Sequence, residues 1–98
     1  MARPKKVRNV CFEPEITFFK PRGIPLRDLS EVEINIDELE ALRLINIEEM
    51  NQTDAAKEMK IHQSTLQRIL KKANKKVSLA LIEGKAIRIE NKLNNKSI

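Results

Sequence analysis

Along the chain, the spacing of apolar positions changes from irregular to two-fold to helical and then back to two-fold. Val10, Phe12, Ile16, Phe18 and Phe19 form a short β-prone stretch interrupted by Pro14, which predicts an edge strand over about 15–19. Lys20 to Leu26 holds two prolines and a glycine within five residues and reads as a loop. Val32, Ile34 and Ile36 alternate with Glu33 and Asn35, the period of a half-buried strand over about 32–36. A first helix follows, opened by a capping box at Asp37 and Glu40 or at Asn35 and Glu38. Its apolar stripe is Leu39, Leu42 and Ile45, widened by Ala41 and Leu44, and it is expected to end between Ile47 and Met50. Asn51 caps a second helix over 52–60 with Ala55, Ala56 and Met59 inward. A third begins near His62 or Gln63 and turns Leu66, Ile69, Leu70, Ala73, Val77 and Leu81 inward, ending at Gly84, a natural residue for the position after a helix. Ala86, Ile87 and Ile89 predict a last strand over about 86–90, able to pair with 32–36.

These elements give an α+β fold, mainly α, with three helices flanked by short strands. The expected organisation is a basic arm over 1–9, one domain over 10–90 and a frayed tail over 91–98. Within the domain, a strand and loop region spans 10–36, a helical core 37–84 and a short strand 86–90. The length, 98 residues, suits one domain. With aromatics at 3%, the core has to be aliphatic. So small a core favours a second subunit, and a homodimer is expected on that ground.

Charge adds a contrast that the pattern alone does not show. Residues 1–30 carry seven basic and three acidic groups, residues 31–56 one basic and eight acidic, and residues 57–98 eleven basic and three acidic. A basic, acidic, basic order with net charge +5 points to a polyanion partner, or else to a fold whose acidic block pairs with its basic ones. No apolar run approaches the roughly 18 residues of a membrane span. The basic N-terminus has no apolar stretch behind it and does not read as a secretory signal. One cysteine, Cys11, excludes an internal disulfide and a cysteine-cluster zinc site, and cytoplasmic residence is expected.

The most specific pattern lies between Gln52 and Ile69. Two helices joined by a three-residue turn must cross closely, which needs a small residue at the crossing and apolar residues on both inner faces. Ala56 fills the first role; Ala55, Met59, Ile61, Leu66 and Ile69 fill the second. Left on the outside of the second helix are His62, Gln63, Ser64, Thr65, Gln67 and Arg68. In a chain rich in Lys and Glu, an ordinary solvated face would be charged. Gln, Ser, Thr and Arg are the side chains that read base edges, so Gln63, Ser64, Thr65, Gln67 and Arg68 are the expected base readers of a helix in the major groove. Arg68, Lys71, Lys72, Lys75 and Lys76 follow at spacings suited to phosphates. Of these, Lys71 and Lys72, with the helix-start amides of Gln52 and Thr53, are the expected phosphate contacts. Arg3, Lys5, Lys6 and Arg8 form an arm suited to the minor groove, or serve only to solubilise. Lys60, in the turn, falls where a glycine is usual; a lysine in left-handed conformation costs on the order of 1 kcal/mol.

Several stretches carry a wider resemblance: Met1 to Lys6, Cys11-Phe12-Glu13-Pro14-Glu15, Phe19 to Leu26, Asp37 to Leu44 and Gly84 to Glu90. Together, over about 1–90, the chain resembles a domain-of-unknown-function family of small bacterial and archaeal proteins catalogued as predicted DNA-binding proteins. Its helical part is similar to region four of the primary bacterial sigma factors. The resemblance implies a helix-turn-helix and a regulator of transcription. The chain departs from the family pattern at Val7, where a second cysteine is common, at Lys60, and at His62, where a serine cap is usual.

Other chemistry finds little here. Cys11 and His62 make half a zinc site at best, so no metal or other cofactor is expected. One histidine, two glycines and no phosphate-binding loop argue against an enzyme. Glu31 with Glu33, and Glu48 with Glu49, read as solvated charge. The expected function is sequence-specific binding of double-stranded DNA by a regulator. The alternative is a protein-interaction module whose acidic first helix grips a basic partner.

Overall fold

The computed structural model describes residues 17–90. The expected arm and tail, and with them Arg3, Lys5, Lys6, Arg8 and Cys11, lie outside those residues. In chain order the elements are β1 (Phe18–Phe19), β2 (Glu31–Ile34), α1 (Ile36–Leu42), α2 (Gln52–Met59), α3 (Gln63–Glu83) and β3 (Ala86–Ile89). The protein is mainly helical with one small three-stranded sheet, the expected fold class.

Alternation builds β2 as expected: Val32 and Ile34 are buried while Glu31 and Glu33 face out. The strand stops before Ile36 because Asn35 starts the helix. The Asn35 side chain accepts from the backbone N–H of Glu38 at 2.8 Å, and the Glu38 carboxylate accepts from the backbone N–H of Asn35 at 3.0 Å. Of the two capping boxes the spacing allows, this one forms. Ile36 thus becomes the first residue of α1 and is buried there, rather than the end of a strand.

α1 continues through a π-helical turn over Arg43–Ile47, closed by the Glu48 N–H bonded to the Arg43 carbonyl at 2.9 Å. Glu49 then takes φ 58, and Asn51 caps α2 by accepting from the Asp54 N–H at 2.8 Å. Lys60 ends α2 in the left-handed conformation, φ 61 and ψ 46, as the missing turn glycine implies. Gly84 ends α3 in the same way at φ 70.

The core has two parts. Ala41, Leu44, Ala55, Ala56, Met59, Leu66 and Leu70 pack where the three helices meet. Val32, Ile34, Ala73, Ala80, Ala86 and Ile89 are also buried, the strand residues lying on β2 and β3 and the alanines mostly on α3. The sheet order is β1-β3-β2, with β3 antiparallel to β1 and parallel to β2. Val32 sits opposite Ile87 and Ile34 opposite Ile89, so the predicted pairing forms. A parallel pair needs a long crossover, and here the whole helical unit is the crossover.

Two packing expectations are corrected, and two acidic side chains are buried that the pattern did not single out. Leu39, Leu42 and Ile45 are only half-buried; the innermost residues of that stretch are Glu40, Ala41 and Leu44. Glu38 and Glu40 are buried, because each carboxylate gains a cation partner within the fold. On α3, Leu81 is 74% exposed and Ala80 is buried in its place. At 3.6 residues per turn, position i+14 from Leu66 stays about 40° from the core direction, whereas i+15 swings about 60° the other way.

Candidate nucleic-acid interface

α2 and α3 are joined by the three-residue turn Lys60-Ile61-His62. Ala55, Ala56, Met59 and Leu66 are all at or below 3% exposure, so the two helices meet through small or flexible side chains, as the close crossing requires. The turn is closed by the Ile61 N–H bonded to the Ala56 carbonyl at 3.0 Å. His62 occupies the cap position of α3 and makes no capping bond with its side chain.

The first turns of α3 present Gln63, Ser64, Gln67 and Arg68 to solvent. Helical spacing arranges them in two adjoining rows: Gln63, Gln67 and Lys71 at intervals of four, and Ser64, Arg68 and Lys72 at the same interval. Thr65 stands apart from them. It is half-buried and lines, with Arg68, Ile69, Lys71, Lys72 and Lys75, a groove of about 600 Å³ facing Asn35, Asp37 and Glu38 at the start of α1. Of the five expected base readers, four are therefore exposed together, while Thr65 belongs to the groove wall.

The starts of α2 and α3 are linked. The Thr53 hydroxyl donates to the Gln63 side-chain oxygen at 3.4 Å. With that oxygen engaged, the Gln63 amide group keeps both its N–H donors for an outside acceptor. At the same helix start the Asn51 side chain satisfies the Asp54 amide, leaving those of Gln52 and Thr53 at the positive end of α2.

The basic residues of α3 divide in a way that composition does not foretell. Lys76 points back to α1, its Nζ 2.9 Å from the buried Glu38 carboxylate. Arg68, Lys71, Lys72 and Lys75 make no ion pair among the described residues, and all four are exposed. The acidic block is partly spent inside the fold. Arg43 holds Glu40 by two bonds of 3.0 Å and reaches Glu48 at 3.1 Å. Arg88 on β3 lies 3.1 Å from Glu31 and 3.4 Å from Glu33 across the parallel pair. Glu31, Glu33 and Glu48 are thus engaged with arginines rather than simply solvated, while Glu49 stays exposed.

Among the described residues no group of three or more His, Cys, Asp or Glu side chains is placed to hold a metal ion, and no helix is long and apolar enough to cross a membrane. The Lys76–Glu38 and Arg43–Glu40 pairs are the polar features that sequence reasoning missed. A weak signal existed in the i,i+3 spacing of Glu40 and Arg43, but Lys76 lies 38 residues from its partner.

Comparison with known proteins shows a family match over residues 1–93, to a family described as protein of unknown function DUF134. The chain is 50% identical over 90 residues to a UPF0251 protein of Halothermothrix orenii, covering 92% of this chain and 67% of that one. It is 48% identical over 90 residues to a UPF0251 protein of Desulfosudis oleivorans, covering 92% and 65%. With a UPF0251 protein of Desulforudis audaxviator the identity is 51% over 90 residues, covering 92% and 59%. The chain spans between 57% and 67% of the length of these and similar curated relatives. No solved structure matches it.

Proposed function

The chain belongs to the family described as protein of unknown function DUF134, so its activity has to be argued from its own surface, and we propose that it is a sequence-specific double-stranded DNA-binding protein that regulates transcription. The observation that carries this reading is a single helix face on which uncharged hydrogen-bonding side chains give way to free cations. Gln63, Ser64 and Gln67 come first, then Arg68, Lys71, Lys72 and Lys75, none of the last four in an ion pair among the described residues. A face needed only for solubility has no reason to exclude charge from its first turn. A face that enters a major groove does, because base edges are read by amides, hydroxyls and guanidinium groups while lysines hold the flanking phosphates.

In this reading α2, the turn and α3 are a helix-turn-helix of the kind that region four of the sigma factors carries. Gln63 and Gln67 pair with adenine edges, Arg68 with guanine, and Ser64 with either, while Thr65 stays in the groove wall. Lys71 and Lys72 neutralise phosphates, helped by the helix-start amides of Gln52 and Thr53. Arg3, Lys5, Lys6 and Arg8 enter the adjoining minor groove. Such a protein works in the cytoplasm, beside the chromosome. The protein-interaction reading has less support, because Glu38 and Glu40 on the acidic helix are buried and held by Lys76 and Arg43.

The test is fluorescence anisotropy of a labelled duplex pool against the purified protein across a salt series, with selection of the bound sequences. Binding with a steep salt slope and an enriched motif supports the reading. Absence of binding at low salt, or binding without enrichment, refutes sequence-specific recognition.

A further inference from the structure

One flank of α3 is left over once its exposed rows have been given to base edges. At about 100° per residue, Thr65 and Ile69 stand about 60° and 100° round the helix from Arg68, turned toward the start of α1. Both are half-buried, and between them and Asn35, Asp37 and Glu38 lies the groove of about 600 Å³. That volume is within the range of small-molecule sites, about 300–1,000 Å³. A duplex lying on the exposed rows bridges such a recess rather than filling it. The α3 wall is cationic. Arg68, Lys72 and Lys75 follow one another at i, i+4 and i+7, with neighbours about 5–6 Å apart, and Lys71 stands at the rim. Like charges at that spacing repel. Nothing on the helix relieves them, because no acidic residue occurs between Glu58 and Glu83. Across the groove Glu38 is already held by Lys76 at 2.9 Å, and none of the four cations is in an ion pair among the described residues.

We propose that this groove binds a small ligand carrying two or three adjoining phosphates, of the class of a nucleoside di- or triphosphate. The row of cations supplies the reason. A single carboxylate or phosphate satisfies one or two of them, whereas a chain of phosphates lies along the row and meets each in turn. Arg68 offers a planar fork that matches two phosphate oxygens, and the lysines offer mobile point charges. The Thr65 hydroxyl, two turns before Lys72 and about 20° from it round the helix, is a further donor on the same wall. The opposite wall favours a nucleoside over a bare phosphate chain. Asp37 brings a carboxylate, which accepts from ribose hydroxyls and base amino groups and turns phosphates toward α3. Ile69 gives the groove an apolar surface for a ring. The site bears on regulation as well. On the DNA-binding reading Arg68 and Lys72 also contact DNA, so ligand and DNA compete for the same cations. That consequence rests on the DNA-binding reading; the site itself does not.

The experiment is isothermal titration of the purified full chain, without DNA and without magnesium, with ATP, inorganic triphosphate and adenosine as probes. ATP should bind one to one with a Kd below about 1 mM, and adenosine should not bind. Triphosphate as tight as ATP assigns the site to the phosphates alone, and weaker triphosphate adds the α1 wall; either result supports the polyphosphate site. Lys75→Gln should weaken ATP by about 3–5-fold and Thr65→Val by about 3-fold. Lys57→Gln, which removes the same charge from α2 outside the groove, should leave ATP binding unchanged. Circular dichroism checks that each variant is folded. Absence of saturable ATP binding up to about 10 mM overturns the proposal. So does an equal loss in Lys57→Gln and Lys75→Gln, which marks general attraction to a basic protein, or an unchanged affinity in both groove variants. A chain that binds ATP but no duplex loses only the DNA reading, and one that binds duplex but not ATP loses only this site.

Discussion

Two lysines four residues apart on α3 should behave differently when neutralised. Lys72 is exposed and unpaired among the described residues, whereas Lys76 is 2.9 Å from the buried carboxylate of Glu38. If Lys71, Lys72 and Lys75 each neutralise one phosphate, the log–log salt slope of DNA binding is about −2.7 per chain, a loss of about 40-fold between 50 and 200 mM salt. Lys72→Gln removes one contact, so the slope falls to about −1.8 and the loss to about 12-fold over the same range. A dimer on two half-sites doubles both slopes. Lys76→Gln leaves the slope where it was, because that ammonium is already neutralised by the Glu38 carboxylate. Its effect is on folding: a nearly fully buried Glu38 loses its cation and keeps the bond from the Asn35 N–H, costing about 1–3 kcal/mol. For a domain of this size each kcal/mol lowers Tm by about 4–8 °C. Anisotropy at four or five salt concentrations and a thermal melt of each variant separate the two effects. If Lys76→Gln flattens the slope as much as Lys72→Gln, or Lys72→Gln leaves it unchanged, the division of the basic residues drawn above is wrong.

Lys60→Gly should stabilise the protein by about 1 kcal/mol and raise Tm by about 4–8 °C, because Lys60 is held at φ 61; a lower Tm would mean that the lysine side chain contributes a contact outweighing the backbone strain. Arg68→Ala should relax the selected motif at one base pair and cost about 1–3 kcal/mol against the preferred site while leaving nonspecific binding near its original strength. Asn35→Ala should lower stability by about 1 kcal/mol through loss of the capping box, measured by urea unfolding with an unchanged m-value. Thr53→Val should weaken discrimination at the base pair read by Gln63 without altering the salt slope, since it removes the hydroxyl that holds the Gln63 oxygen and touches no cation.

Local chemistry made most of the fold legible. Val32 and Ile34 alternate with glutamates and are buried on one face; Asn51 and Gly84 bound their helices by rules that act within a few residues. The left-handed Lys60 was legible from its place in the turn, where a glycine is usual. What was not legible depends on residues far apart in the chain. Nothing near Glu38 announces Lys76, and a glutamate in an acidic stretch reads as solvated until its cation arrives from another helix. The choice between two capping boxes turned on the same contact, since Glu38 serves Asn35 and Lys76 at once. Leu81 was placed inward by a count that runs fifteen residues from Leu66, and a small angular error per residue accumulates to half a face over that length. The central place of β3 and its direction against β2 were also beyond local reading, because four-residue strands specify pairing only weakly.

The structure ties the candidate site to the rest of the fold through one rigid element. α3 runs unbroken from Gln63 to Glu83, about 30 Å at 1.5 Å per residue, and different lengths of it meet different surroundings. Its inner face is fixed at both ends, by α1 and α2 around Leu66 and Leu70 and by the alanines that pack toward the sheet at Ala73 and Ala80. A helix anchored in this way cannot rotate to hide its outer residues, so the order of those residues is set by packing rather than by solvent. That order runs from amides and hydroxyls, through unpaired cations, to leucine and isoleucine. Each class has a different natural partner: base edges, phosphates and another apolar surface. Because the helix is rigid, the spacing between those partners is set as well. Asn74→Pro, which removes the hydrogen bond to the Leu70 carbonyl and bends α3 within its anchored length, should therefore lower Tm and weaken DNA binding together, whereas Arg68→Ala alters binding alone.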